Sequence, residues 1–237
     1  IGDMLDNGTV MNGKMIESPK SFQVACTVMT QIIAAVASSQ YVGQSVDVRH
    51  LGKYLRRSYD KYKNKLVEEY GETIDEEILD KMAKDRLNDE LRSGVQTIQY
   101  QINTLMTTNG QAPFVSVYMY LDEVEEGQAR DDLALIIEEV LKQRIQGVKN
   151  ENGVYITPAF PKLIYVLEDD NITEGSKYWY LTKLAAECTA KRMVPDYISE
   201  KKMMELKEGN CFPVMGCRSA LSPWKNEKGE YQFYGRF

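Results

Sequence analysis

The sequence predicts an α/β fold with a mostly parallel sheet and long crossover helices. Two observations predict it. Short β-rich runs, Val115–Leu121 and Lys162–Leu167, alternate with long helical stretches. Those stretches place apolar residues at three- and four-residue steps, the helical period. No repeat, low-complexity tract or linker interrupts the 237 residues, so residues 1–237 read as one domain.

In chain order, residues 1–17 carry two turn dipeptides, Asn7-Gly8 and Asn12-Gly13. Ser21–Cys26 reads as a strand, and residues 27–40 as a buried helix rich in Ala, Ile, Val and Met. Gln40–Gln44 is a turn and Ser45–Val48 a short strand. From Arg49 to Tyr70 the stripe of Leu51, Tyr54, Leu55, Tyr59, Tyr62, Leu66 and Tyr70 predicts a helix that Gly71 ends. Thr73-Ile-Asp-Glu76 has the spacing of a capping box for a helix over 75–91. A separate helix is expected over 94–106, polar but uncharged. After the strand Val115–Leu121 comes an amphipathic helix over 130–147, then the strand Lys162–Leu167. Residues 176–207 read as mostly helical, interrupted at Pro195.

Composition narrows the class. Hydrophobic residues make up 43% and charged residues 27%, ordinary for a globular domain. The 29 Lys+Arg are dispersed among 35 Asp+Glu, which argues against a nucleic-acid binder. No window is read as a membrane span, and no secretory leader pattern is read at the start. Four cysteines without a dense framework point to a reducing, cytoplasmic setting.

Cysteine chemistry is the sharpest signal. Cys217 follows Gly216 and precedes Arg218-Ser219 in a Gly/Pro-punctuated segment, unlike a core strand. Against this stands the ordinary reading of a buried, inert thiol, which also applies to Cys26 among Val24, Ala25, Val28 and Met29. Cys188 sits mid-helix among alanines and reads as core. Cys211 and Cys217 form no CxxC, and with His50 as the lone histidine no zinc constellation is present. His50 reads as a surface residue at a helix start. Thr107–Phe114 reads as a helix C terminus, with Asn109-Gly110 as the stop and Pro113 beyond.

Four strings together resemble the anaerobic (class III) ribonucleoside-triphosphate reductases, and the resemblance runs through nearly the whole chain. They are Ser18-Pro-Lys-Ser-Phe-Gln-Val-Ala-Cys-Thr-Val-Met-Thr30, the segment Gln99–Phe114, the segment Asn210–Trp224 and Phe233-Tyr-Gly-Arg-Phe237. The resemblance implies five strands forming half of a ten-stranded α/β barrel, with a finger loop at about 210–224. It implies that Cys217 becomes a thiyl radical by giving a hydrogen atom to a glycyl radical, and then takes the 3′ hydrogen of the substrate ribose. Cys26 would lie on the 2′ side as proton and hydrogen donor. Ser21, Gly110, Gln111 and Ser219 would contact substrate. Aerobic relatives carry Glu where this chain has Ser219, and a serine hydroxyl is no base near neutral pH. That departure fits the anaerobic class, with formate or a dithiol protein as reductant, a choice the residues leave open.

By the same resemblance, the helices at about Thr27–Gln40 and Arg49–Tyr70 pair across a homodimer and hold a deoxynucleotide or ATP effector. The cations Arg56 and Arg57 among the tyrosines of the second helix read either as phosphate contacts for it or as a solvated helix face with aromatic core contacts. Asp122–Arg130 corresponds to a flexible segment between effector and substrate sites. Both chain ends, Ile1 and Phe237, read as cut from a longer parent. That parent would carry the glycyl radical made by an iron–sulfur/S-adenosylmethionine activase, and a structural zinc. The portion read here would bind no cofactor or metal and be inactive alone. Family relatives have Gly-Gly where this chain has Val42-Gly43, so a β-branched residue stands in the turn. Two alternatives stay open: a non-catalytic nucleotide-binding or dimerisation module, and a glycyl-radical enzyme with another substrate.

Overall fold

The computed structural model describes residues 1–39, 43–107, 110, 112–215, 219–220 and 224–232. The chain opens with α1 (Gly2–Asn7) and a hairpin of β1 (Thr9–Met11) and β2 (Lys14–Ile16). Asn12 and Gly13 form its two-residue turn with φ of 50° and 73°, the positive values such turns require.

Next comes α2 (Phe22–Ser39), which replaces the expected strand Ser21–Cys26. Phe22, Ala25, Cys26, Met29, Ile32 and Ile33 are all buried while Val24 is exposed, so the apolar period here is helical rather than alternating. Ser21 sits in the capping position: its carbonyl accepts from Ala25 N at 3.0 Å, and its Oγ lies 3.5 Å from Val24 N. Contrary to the reading of composition, α2 is an 18-residue uncharged helix long and apolar enough to cross a bilayer. Its apolar stripe is instead part of the main core.

β3 (Gln44–Asp47) leads through a short 3₁₀ turn into α3 (Gly52–Tyr70), which stops at Gly71 as expected, with φ of 54°. α4 (Glu76–Thr104) is one continuous 29-residue helix, not two. Its cap is Asp75, whose carboxylate accepts from Glu77 N at 2.8 Å; Thr73 instead donates to the Tyr70 carbonyl. Gly94 does not break it. A Cβ there would stand 2.6 Å from Phe22 Cε1 and 3.0 Å from Cys26 Sγ, so the missing side chain is what lets α2 approach.

β4 (Val115–Met119), α5 (Gln128–Gln146), the small hairpin β5 (Val148–Lys149) and β6 (Tyr155–Ile156), and β7 (Lys162–Leu167) follow. Then come α6 (Asp169–Ile172) and α7 (Trp179–Arg192). The stretch after Pro195, expected to be helical, is β8 (Asp196–Ser199) before α8 (Glu200–Leu206). The last elements are β9 (Val214–Met215), β10 (Ser219–Ala220), β11 (Trp224–Lys225) and β12 (Tyr231–Gln232).

β3, β4, β7 and β8 form a four-stranded sheet in sequential order, every pair parallel. The α/β expectation holds at that level, with four strands in this sheet. Sequential order with right-handed crossovers puts the connecting helices on one side. Val46, Val115, Val117, Met119, Leu163 and Tyr165 join that helical side in the main core. The opposite face carries Tyr118, Tyr120, Ile164 and Val166, covered not by a helix but by Cys211 and Val214.

Candidate functional site at the open face of the sheet

Residues alternate across a strand, so Ser116, Tyr118 and Tyr120 share the face turned away from the helices. Register extends this row sideways: Ser45 lies beside Ser116, Asp47 beside Tyr118, and Tyr118 beside Ile164. Beyond the strand ends stand Glu168 and Glu200. Parallel α/β sheets bind ligands at the carboxyl ends of their strands, which is where these groups gather.

The segment from Cys211 to Met215 lies over this row. The Tyr118 hydroxyl and Cys211 Sγ are 3.3 Å apart, and Ser45 Oγ donates to the Val214 carbonyl. The Tyr118 and Tyr120 rings meet edge to face at 5.9 Å. Tyr120 donates to Glu200 Oε1. Burial raises the pKa values of Tyr118 and Tyr120 far above the ordinary phenol value, and burial also raises the Cys211 thiol. All three are therefore protonated at neutral pH. Ser116 Oγ is buried on the same face and has no hydrogen-bond partner among the described residues.

Glu168 organises the strand ends. Its carboxylate accepts from Leu121 N at 3.1 Å, Asp122 N at 2.7 Å and Asn171 Nδ2 at 3.1 Å. Burial nonetheless pushes its pKa up to about 8. Asp47 rises to about 6, again chiefly by burial. Arg130 closes the neighbouring loop. It donates to Asp122 Oδ1 at 2.7 Å, to the Val124 carbonyl at 3.1 Å and to Asp170 Oδ2 at 3.2 Å. Arg130 thus links Asp122 and Val124, within the stretch Asp122–Arg130, to Asp170 at the start of α6.

The structure describes some of the residues singled out from sequence. Cys217 and Gln111 lie outside the described residues, as does Val42. Ser219 begins β10, opposite Met215 of β9. Gly110 has φ of 71° and donates to the Thr107 carbonyl at 2.9 Å, a turn role. Ser21 caps α2 as described above.

Cys26 is corrected. It is not on a strand facing a lumen; its thiol is fully buried between α2 and α4, against Phe22 and Gly94. Burial, and then the nearby Glu90 charge, hold it protonated, well above the ordinary thiol range. Glu90 is there for structural reasons: it accepts from Gln23 N at 2.8 Å and from Ser58 Oγ at 3.1 Å, while Ser58 Oγ accepts from Phe22 N at 2.8 Å. These bonds satisfy the first N–H groups of α2.

Arg56 and Arg57, read from sequence as effector ligands, both have partners within the chain. Arg56 makes a two-pronged ion pair with the buried Asp132 of α5 and lies over the Tyr59 ring at 4.7 Å. Arg57 donates to the Pro19 carbonyl at 3.0 Å and covers the Tyr54 ring at 5.0 Å. His50, read as a surface residue at a helix start, stands in the turn before α3 half-buried: it packs against Gly2, and burial lowers its pKa to about 4.

A groove of about 500 Å³ lies elsewhere, between α4, α5 and the β5–β6 hairpin, lined by Tyr100, Tyr155, Gln96, Gln99, Arg92 and Lys142 among others. Two of its cations have acidic partners, Lys142 with Glu138 at 2.6 Å and Arg92 with Asp89 at 3.7 Å. Among the described residues no trio of His, Cys, Asp or Glu is placed to hold a metal ion.

Sequence reasoning missed the Tyr118–Cys211–Tyr120–Glu200 group. The signal was present: Ser116, Tyr118 and Tyr120 are spaced by two within a β-rich run, which marks a polar face. The missing piece was β8, without which Glu200 had no strand end to follow.

Fold and site together define an α/β protein whose titratable groups gather where parallel strands end. The comparisons with known proteins specify it further. The family model for anaerobic ribonucleoside-triphosphate reductase matches residues 1–237. The chain is 36% identical over 240 residues to the anaerobic ribonucleoside-triphosphate reductase of Enterobacteria phage T4, covering 98% of this chain and 37% of that protein. It is 36% identical over 237 residues to the Escherichia coli protein of that name and 34% identical over 236 residues to that of Haemophilus influenzae, in each case across 98% of this chain and 31% of the relative. This chain belongs to the anaerobic ribonucleoside-triphosphate reductase family. It spans about a third of the length of the curated relatives it matches.

Proposed function

We propose that this chain supplies part of the catalytic unit of a cytoplasmic enzyme that reduces ribonucleoside triphosphates to 2′-deoxyribonucleoside triphosphates, with Cys217 as its radical-carrying thiol. The observation that carries this reading is the family match over the whole of residues 1–237. The string Met215-Gly-Cys-Arg-Ser219, which continues the segment lying on the open face of the sheet, supports it. Here β3, β4, β7 and β8 would be part of a larger barrel, and their open face would line its interior.

A thiol suits the work because its S–H bond is close in strength to a ribose C–H bond. Once a glycyl radical has taken the thiol hydrogen, Cys217 sulfur takes the 3′ hydrogen and leaves the unpaired electron on C3′. The 2′ hydroxyl then leaves as water. A dithiol protein would supply two electrons and two protons as it becomes a disulfide, whereas formate would supply two electrons and one proton as it becomes carbon dioxide, the second proton coming from solvent. The 3′ hydrogen returns from Cys217. Cys26 has no part in this scheme, because its sulfur faces α4. A homodimer that binds its effector along α2 and α3 belongs to the same reading, with Arg57 exposed on α3 to meet its phosphates and Arg56 committed to Asp132.

The test is Cys217→Ser in the complete natural protein. Turnover is expected to vanish while ribonucleotide binding persists, since binding needs no sulfur. Deoxynucleotide formation by that variant at a substantial rate refutes the proposal.

A further inference from the structure

The open face of the sheet offers a role for Tyr118. Residues 211–215 form a strap across that face, held at both ends by side chains of the sheet. At its start, the Tyr118 hydroxyl meets Cys211 Sγ at 3.3 Å. Near its end, Ser45 donates to the Val214 carbonyl, and the Val214 side chain is buried with Tyr118, Tyr120, Ile164 and Val166. β9 then pairs with β10, Met215 opposite Ser219. The three residues between those strands are Gly216, Cys217 and Arg218.

We infer that Tyr118 is a positioning residue for the Cys217 segment, acting through its hydroxyl contact with Cys211. This rests on the proposed function for its catalytic readout. The physics is short. Hydrogen-atom transfer requires the reacting atoms in near-attack contact, so a small displacement of the sulfur costs rate rather than binding. The Tyr118–Cys211 contact sits on the open face of the sheet, with Tyr118 buried and Cys211 half-buried, where a hydroxyl that loses its partner cannot simply turn to water. Cys211 acts here through its hydrogen bond, so serine can replace it and alanine cannot.

The experiment uses the complete natural protein with Tyr118→Phe, Cys211→Ala, Cys211→Ser and the Tyr118→Phe/Cys211→Ala double variant. Tyr118→Phe keeps the ring against Tyr120 and Ile164 and removes only the hydroxyl. Tyr118→Phe and Cys211→Ala should each lower kcat about two- to tenfold, the value of one hydrogen bond, with KM little changed. The double variant should be no slower than the worse single variant, because both remove the same contact. Cys211→Ser should recover most of the activity. Alkylation of Cys217, mapped by mass spectrometry, should change in rate in Tyr118→Phe without nucleotide present, a readout independent of turnover. Wild-type kcat and Cys217 reactivity in Tyr118→Phe overturn the inference, as do additive losses in the double variant. If Cys217→Ser proves active, the proposed function falls, while the alkylation rates still judge the positioning role.

Discussion

Replacing Cys26 separates a packing thiol from a chemical one. Its side chain is fully buried against Phe22 and the bare backbone of Gly94. Cys26→Ala deletes one sulfur from that contact. A buried methylene-sized group is worth ~0.8 kcal/mol, and incomplete collapse of the space adds to it, so a loss of about 1–1.5 kcal/mol is expected. Cys26→Ser keeps the size but buries a hydroxyl. An unpartnered one costs about 1–3 kcal/mol, and the helical position lets it bond the Phe22 carbonyl one turn back, which offsets part of that. Both variants should therefore unfold at lower denaturant concentration in the complete natural protein. Turnover per folded molecule should stay near wild type, together with exchange of the ribose 3′ hydrogen. The assays are urea unfolding followed by circular dichroism, and deoxynucleotide formation under anaerobic conditions. Cys26→Ala with wild-type stability and no product would refute the packing argument and return the thiol to the chemistry.

Two further perturbations test the frame around the site. Gly94→Ala gains about 1 kcal/mol of helix propensity but forces a Cβ to within 2.6 Å of Phe22, an overpacking that costs about 1–3 kcal/mol. Net destabilisation is expected, partly relieved by Phe22→Leu, and a clear stabilisation in urea melts would contradict the close approach of α2 and α4. Glu168 has a folded pKa raised from 4.5 to about 8, so the folded chain keeps a proton that the unfolded chain releases first. Its contribution is full below pH 4.5 and declines as pH rises through about 8. Glu168→Gln should flatten that decline in unfolding free energy measured across the window, and an unchanged slope would show that another group is responsible.

Much of this fold was legible in the sequence because its longest elements carry clean periods. Lys162–Leu167 has the same limits in sequence and structure, and Gly71 ends α3 where expected. The failures have local causes. Between Ser21 and Cys26 the β-branched and aromatic residues suggest a strand, yet the decisive spacing is that of Phe22, Ala25, Cys26 and Met29, which is helical. Gly94 looks like a helix boundary because glycine weakens helices. Its actual use is steric, and only the position of a second helix could reveal it. The partners of Arg56 and Arg57 were not legible because neither Asp132 nor the Pro19 carbonyl is near them in sequence.

The same logic explains why the Cys217 string stands out in the sequence while the row beneath it does not. Sequential strand order sends the connecting helices to one side, and the other side is covered here by residues 211–215, chain without a helical period. Such a cover is recognisable only by its punctuation, here Pro213 and Gly216, and by the Cys-Arg-Ser string at its end. The residues it rests on are scattered over β3, β4 and α8, and each has an ordinary local reading: Ser45 and Tyr118 in strands, Glu200 at a helix start. Their joint meaning arises from register, which sets Ser45 beside Ser116 and Asp47 beside Tyr118. A one-residue slip of β4 would turn Tyr118 and Tyr120 into the helical core and present Val117 and Met119 to the strap. The apolar face of β4 therefore does two things at once: by locking its odd-numbered residues into the core, it fixes which hydroxyls the strap meets.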